Sequence, residues 1–461
     1  KEEIDVKSTR VCVIGPAGEK QILFSSIMCD HGRMAGRTGM GAVMGSKNLK
    51  AIAVHGENEI PVFDLSKYKS LRSTANRKLR DNNEARGLRE LGTASAANYA
   101  EYLGAMPAKY YTQGSFPAVD NVSGATMSEK ILVGHSACQG CVIACGRVVK
   151  LPKDSTKRKG PEYETMVGFG ANLLNDNLES LVDLGELCDR FGMDTISTSN
   201  TIGLAFHLYE KGVITKDDTG VELKWGNVDA IEQLVRLIGS REGIGDLLAQ
   251  GAKRFAAQYG VEEEAVQVNG LEVAYHDPRG VSGMAISYAT SPRGACHNQS
   301  DYFFVDMLGN SNEEVGIEFL SRHAQAEKAA SVAKHQDWRT IDNAIVMCIF
   351  ANVEPKEKVA LINAACGLDW SVDDMMKFGE RSWNLKRAIN NRMGLTCAND
   401  KLPKALLTPY PDGGSEGFVP DIDAMLTSYY EVRGWDKETG KPSREKLSEL
   451  GMDDVAVDLW G

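Results

Sequence analysis

Apolar and polar positions divide the chain into a short β-rich opening and a long helical body. The runs VCVIG (11–15), QILFSSIMC (21–29) and KAIAVHG (50–56) are apolar or alternating and separated by glycine-rich turns, which predicts strands over residues 1–57. After Pro61 the pattern changes. Segments 64–90 and 93–103 have helical spacing, and 104–135 carries loop signals. Residues 161–259 read as successive helices and 265–310 as irregular, with helices returning at 312–333, 339–350, 355–366 and 371–391. The expected class is α+β and multidomain: a β-rich piece over 1–57, a helical domain over 58–310 and a helical C-terminal domain over 311–461. The first strand reads as already in mid-fold and no Met precedes it, so an N-terminal segment is expected to be missing.

Composition narrows the function. Hydrophobic residues make up 43% and charged residues 25% of 461 positions, as in a globular protein. No run of about 18 apolar residues is present, so no membrane-spanning helix is expected. The net charge of −11 argues against general nucleic-acid binding. Ten cysteines are too sparse for a disulfide scaffold, and three of them crowd into eight residues, which points to a metal or cluster in a reducing, cytoplasmic setting.

Three of those cysteines, Cys138, Cys141 and Cys145, form C-x2-C-x3-C. Thiolates suit iron, and so short a spacing lets one loop supply three corners of a cubane cluster. A structural zinc site would more often show a second C-x2-C pair or histidines. A fourth ligand must come from elsewhere, and spacing does not choose among Cys188, Cys296, Cys348, Cys366 and Cys397.

Residues 31–50, HGRMAGRTGMGAVMGSKNLK, interleave Gly36, Gly39 and Gly41 with Arg33, Arg37 and Lys47. Such a segment can bring backbone N–H groups and positive charge to an anionic cofactor. It is neither a Walker A loop nor a clean dinucleotide fingerprint. Tight packing is the bland alternative.

This segment, with IGPAGE before it, closely resembles the tungsten-dependent aldehyde:ferredoxin oxidoreductase family. So do C-x2-C-x3-C followed by GPEYET and the closing pattern from Arg381 to Lys404. The resemblance implies a β-rich pterin-binding base followed by two mostly α-helical domains. It implies a tungsten (or molybdenum) bis-pterin, Mg between the pterin phosphates, and one [4Fe–4S] cluster. The family's acidic D-x-x-G-L-D turn is matched by Asp189 to Asp194, with Met193 for Leu; the bland reading is a helix end. Its D-x-x-G-L-C segment is matched more loosely by Asn343 to Cys348, with Asn for Asp and Val346 for Gly. That makes Cys348 the implied fourth cluster ligand and Asn343 a weakened pterin contact. The family's glutamate near the metal falls on Glu162 or Glu164, with Glu164 favoured, and its histidine on His297. His276 lies in a neighbouring stretch and is as well read as a core histidine.

The expected chemistry is oxidation of an aldehyde to a carboxylic acid. Glu164 would serve as a proton acceptor and His297 as a hydrogen-bond donor to the carbonyl. Electrons would leave singly to ferredoxin or another acidic carrier. The basic run from Arg147 to Lys159 beside the cysteines is the expected docking patch. The chain is expected to act as a homodimer or as a subunit of a larger redox complex. Two alternatives stand beside this reading: the catalytic subunit of a tungsten aromatic acyl-coenzyme A (benzoyl-CoA) reductase, and a non-catalytic electron-transfer subunit.

Overall fold

A computed structural model describes residues 9–30 and 32–461. It divides into two compact units, each assembled from separate stretches of chain. Of the described residues, the first holds 9–30, 32–59, 87–275 and 403–417; the second holds 60–86, 276–402 and 418–461.

The opening of the chain forms a small antiparallel sheet of β1 (Arg10–Ile14), β2 (Ile27–Cys29), β3 (Arg33–Ala35) and β4 (Ala51–Val54), in the order β3-β2-β1-β4. The predicted strand over 21–29 shrinks to β2 because Ile22 to Ser25 close a turn, with Ser25 N–H donating to Ile22 O at 2.9 Å. Part of the glycine-rich segment is helical, over Met40–Ser46. A second antiparallel sheet, β5 (Leu132–Ser136), β6 (Gly146–Lys150) and β7 (Lys157–Lys159), was not expected. Its strands are short, and β7 is wholly basic, so no sustained apolar alternation marks them.

The core of the first unit is the helix Thr195–Glu210, buried on nearly all sides. Tyr163–Phe169, Val228–Ser240 and Ala252–Gln258 pack against it. Side chains fix the starts of two of these helices and of Leu178–Phe191: Asn227 accepts from Ala230 N–H, Asp194 from Ile196 and Ser197 N–H, and Asn177 from Ser180 N–H.

In the second unit the helix Ala329–Ala344 packs on Val372–Arg392 and Ile422–Arg433. One buried ion pair crosses this packing and a second ties Val372–Arg392 to the segment that follows it. Arg433 meets Asp337 at 2.7 Å and Arg387 meets Asp400 at 2.8 Å. Burial pushes the Asp337 carboxyl up to about 6, against the pull of Arg433. The helix expected over 312–333 is absent. There Asn312 and Ile317 exchange backbone hydrogen bonds at 2.7 and 3.0 Å around Gly316 (φ 73°), and regular helix begins only at Ala329.

Candidate functional site

The cysteine motif is the loop of a hairpin. Ser136 pairs with Gly146 where β5 and β6 meet, and residues 137–145 project between them. Gly140 (φ 71°) and Ala144 (φ 59°) take left-handed backbone, and Cys141 N–H donates to Cys138 O at 3.1 Å, so the chain curls around its own sulfurs. Ile143 N–H donates to Cys141 Sγ at 3.3 Å, a contact that suits a thiolate. Arg147 locks the loop's far end, donating to Cys145 O at 3.0 Å and Ala144 O at 3.2 Å. Among the described residues no three His, Cys, Asp or Glu side chains already converge on a metal position, and no disulfide consumes a thiol. The loop therefore offers a soft donor set that fits iron, rather than a closed cage.

β3 ties this loop to the acidic turn. Arg33 Nη2 lies 2.9 Å from where a Cβ on Gly146 would stand. Among the described residues that buried nitrogen has no hydrogen-bond partner, while Nη1 faces Glu162 at 3.8 Å, so an acceptor on an anion would suit it. Four residues on, Arg37 pairs through Nε with Asp194 Oδ2 at 3.4 Å and donates through Nη2 to Glu272 O. Gly36 sits between them, where a Cβ would face Asp194 Oδ1 at 3.7 Å.

The acidic turn is both a helix junction and a sewn loop. Gly192 (φ 76°) ends the helix Leu178–Phe191, and Asp194 caps the next one. Ser26 N–H donates to Gly192 O at 2.8 Å and Asp194 N–H to Phe24 O at 3.0 Å, fixing the turn against the segment before β2. Asp189 pairs with Lys159 at 3.0 Å; burial still holds its carboxyl above the usual range. The helix-end reading of 189–194 is thus true of the backbone. The pairing of Asp194 with a cation that is 7% exposed goes beyond it.

Tight packing accounts for other glycines of the 31–50 segment. A Cβ on Gly39 (φ 70°) would fall 2.1 Å from Leu23 O, and one on Gly41 2.6 Å from Ser26 O. Lys47 is exposed.

Glu164 lies in the first turn of Tyr163–Phe169, and its Oε2 accepts from Tyr275 N–H at 2.9 Å. Burial raises its carboxyl pKa to about 7. The Tyr275 hydrogen bond and Arg37 pull it down, and Asp194 pushes it up. Glu162, the other candidate, instead accepts from Thr93 Oγ1 at 2.7 Å. Ser199, whose hydroxyl meets Tyr275 OH at 2.7 Å, braces the Tyr275 side chain, and the buried Glu272 accepts from Arg37 Nη2 at its carbonyl. Sequence reasoning passed over all three. The only signal was that Tyr275 stands beside the flagged His276.

The remaining candidates belong to the second unit. His276 stacks on Phe303, ring centroids 3.6 Å apart and 5° from parallel, and His297 is 5.8 Å from His276. Burial lowers the His276 pKa to about 3, so its ring stays neutral at physiological pH. The segment from Asn343 to Cys348 repeats the backbone of the acidic turn. It ends the helix Ala329–Ala344, and its fourth residue, Val346, has φ 56° where the first turn has Gly192. Asn343 folds back to Arg339 O at 3.0 Å, and Cys348 is exposed. Val346 is 91% exposed, so it has little packing to offset a left-handed backbone. Val346→Gly is expected to raise unfolding stability by about 1 kcal/mol. Urea denaturation with an unchanged slope would show it.

The expected basic docking patch needs correction. Arg147 is buried, with its guanidinium spent on carbonyls of the cysteine loop and of Arg89 and Glu90. Lys153 pairs with Asp183, Arg158 with Asp154, Asp183 and Glu186, and Lys159 with Asp189. Among the described residues only Lys150 and Lys157 of this run remain exposed without an ion pair. Run-counting along the sequence takes in Asp154 but misses Asp183, Glu186 and Asp189, which lie on the helix Leu178–Phe191.

Comparison with known proteins decides the family. The aldehyde ferredoxin oxidoreductase N-terminal domain model matches residues 1–56, and the model of domains 2 and 3 of the same family matches residues 70–452. The chain belongs to the aldehyde ferredoxin oxidoreductase family. It is 39% identical over 460 residues to the tungsten-containing aldehyde ferredoxin oxidoreductase of Thermococcus kodakarensis, covering 98% of this chain and 75% of that protein. An aliphatic sulfonate oxidoreductase, WOR-like subunit, of Pyrococcus furiosus is 30% identical over 477 residues, covering 97% of this chain and 70% of that protein. The solved active site complex BamBC of benzoyl coenzyme A reductase, in complex with 1,5-dienoyl-CoA, shares the fold. Its TM-score is 0.80 at 21% identity, covering 99% of this chain and 76% of that one. This family member is an oxidoreductase, with the expected α+β multidomain fold. Among the described residues no helix is long and apolar enough to cross a membrane.

Proposed function

We propose that the protein oxidises aldehydes to carboxylic acids on a tungsten pterin and passes the electrons through an iron–sulfur cluster to ferredoxin. The observation that carries this reading is the run from Arg33 to Arg37. It sets one cation against the cysteine loop and another against Asp194, beside a carboxylate with its pKa near 7.

Arg33, Gly36, Arg37, Asp189 and Asp194 would hold one pterin, and Asn343 the other. Cys138, Cys141 and Cys145 would hold the cluster, with Cys348 as fourth ligand. When bound, the metal would supply a two-electron acceptor and the cluster a one-electron outlet. The chain's own residues do the rest. Glu164 holds and releases a proton at its carboxylate oxygens. The neutral His276, stacked on Phe303, walls the neighbourhood of His297, whose ring N–H would donate to the carbonyl oxygen.

Elemental analysis with an aldehyde screen tests the reading. Tungsten, iron and aldehyde-dependent reduction of ferredoxin are expected; iron without tungsten would leave only an electron-transfer role. Reduction of an aromatic acyl-coenzyme A is the second arm of the screen, and its support here is the shared fold alone. For ferredoxin, joint charge reversal of Lys150 and Lys157 is expected to slow association several-fold at low salt and little at high salt. Stopped-flow reduction at two ionic strengths would read this.

A further inference from the structure

We infer that Cys12 and Cys29 are a redox-active dithiol that closes into a disulfide when the protein meets a disulfide oxidant such as oxidised glutathione. The two residues face each other in register across β1 and β2. One step along, Asp30 N–H donates to Val11 O at 2.8 Å, and Val11 N–H donates to Asp30 Oδ1 at 3.0 Å. The Val11 carbonyl thus points to the β2 side, while Ile14 N–H donates to Lys50 O on the β4 side at 3.1 Å, so by the alternation of an antiparallel ladder Cys12 bonds toward β4 and faces Cys29 as a non-hydrogen-bonded pair. Such pairs hold their Cα atoms about 4.5 Å apart with both side chains on one face. A disulfide accepts Cα separations of about 4.4–6.8 Å, so closure needs side-chain rotation and little backbone movement. Both residues are half-buried, within reach of a small oxidant. Neither belongs to the thiols proposed for the cluster.

The position gives the bond a consequence. β1 runs into Gly15, where a Cβ would fall 2.2 Å from Phe191 O. β2 follows Ser26, which bonds Gly192 O. At the other end Arg10 donates to Gln139, inside the cysteine loop, at 2.7 Å. The disulfide would cross-link the two strands that run between the sulfur loop and the acidic turn. In the reaction both thiols lose a proton and one electron each as the S–S bond forms. The oxidised glutathione accepts two electrons and two protons and leaves as two thiols.

The full chain, purified anaerobically, is incubated with mixtures of oxidised and reduced glutathione, quenched in acid, alkylated, digested and mapped by mass spectrometry. The expected result is a linked pair of peptides carrying Cys12 and Cys29, lost on dithiothreitol treatment and absent from C12S and C29S. Full alkylation of both cysteines, glutathione adducts alone at either, or linkage of either to Cys138, Cys141 or Cys145 would overturn the inference. The wild-type map decides the question even where a variant fails to fold.

Discussion

Cys138→Ser is expected to strip most of the iron from the purified protein and to cut ferredoxin-linked turnover by at least about a hundredfold. Losses of about 10–100-fold follow removal of groups that merely support metal ligands, and here a ligand itself is lost. Serine keeps the size and the turn but offers a harder, less acidic donor in place of a thiolate. The fold itself should survive. The loop's shape comes from Gly140, Ala144 and the buried Arg147, and β5 and β6 are paired by their own backbones. The check is iron content against circular dichroism. Full iron in the variant would remove Cys138 from the ligand set.

Glu164→Gln is expected to lower kcat by about 10²–10⁴-fold, the usual range for loss of a positioned acid or base, with iron and tungsten content unchanged. The amide oxygen of Gln can still accept from Tyr275 N–H, so geometry persists while proton transfer is lost. In the native enzyme the carboxylate form predominates above a pH of about 7, so kcat/KM should rise with pH through that value. In the variant this limb should be gone.

Stability carries an independent sign. An unfolded glutamate releases its proton near pH 4.3. Between there and about pH 7 the folded protein still holds the proton at Glu164. The protonated carboxyl's contribution is thus fully present below the unfolded pKa. It falls by about 1.4 kcal/mol per pH unit and is gone once pH passes the folded pKa. Glutamine does not titrate, so the variant should gain on the wild type between pH 5 and pH 8. Thermal melts at the two values would show the variant's melting temperature rising relative to that of the wild type. A constant gap would mean that Glu164 titrates normally.

Much of this site was legible in the chain because its parts are local. The spacing of Cys138, Cys141 and Cys145 marks a loop by itself, and Asp189 to Asp194 reads as a turn from its glycine and acids. What was hidden depends on partners distant in sequence. The lysines and arginines after Cys145 read as a positive patch because Asp183, Glu186 and Asp189, which pair with Lys153, Arg158 and Lys159, stand some thirty residues on. Tyr275 holds Glu164 by a backbone N–H, a group every residue but proline possesses, so no residue-type signal could reveal it. The helices failed where glycine stops, as at Gly316, broke an otherwise suitable apolar rhythm. At Val346 the left-handed turn is kept by a side chain that disguises it.

The reach of one short run from Arg33 to Arg37 has a further consequence. Its first cation stands by the sulfurs and its last by the carboxylates, on one piece of backbone. A displacement of that segment would change, in a single movement, the ease of storing an electron at one end and a proton at the other. With the proposed cluster in place, its reduction potential and the acidity of Glu164 would be mechanically coupled.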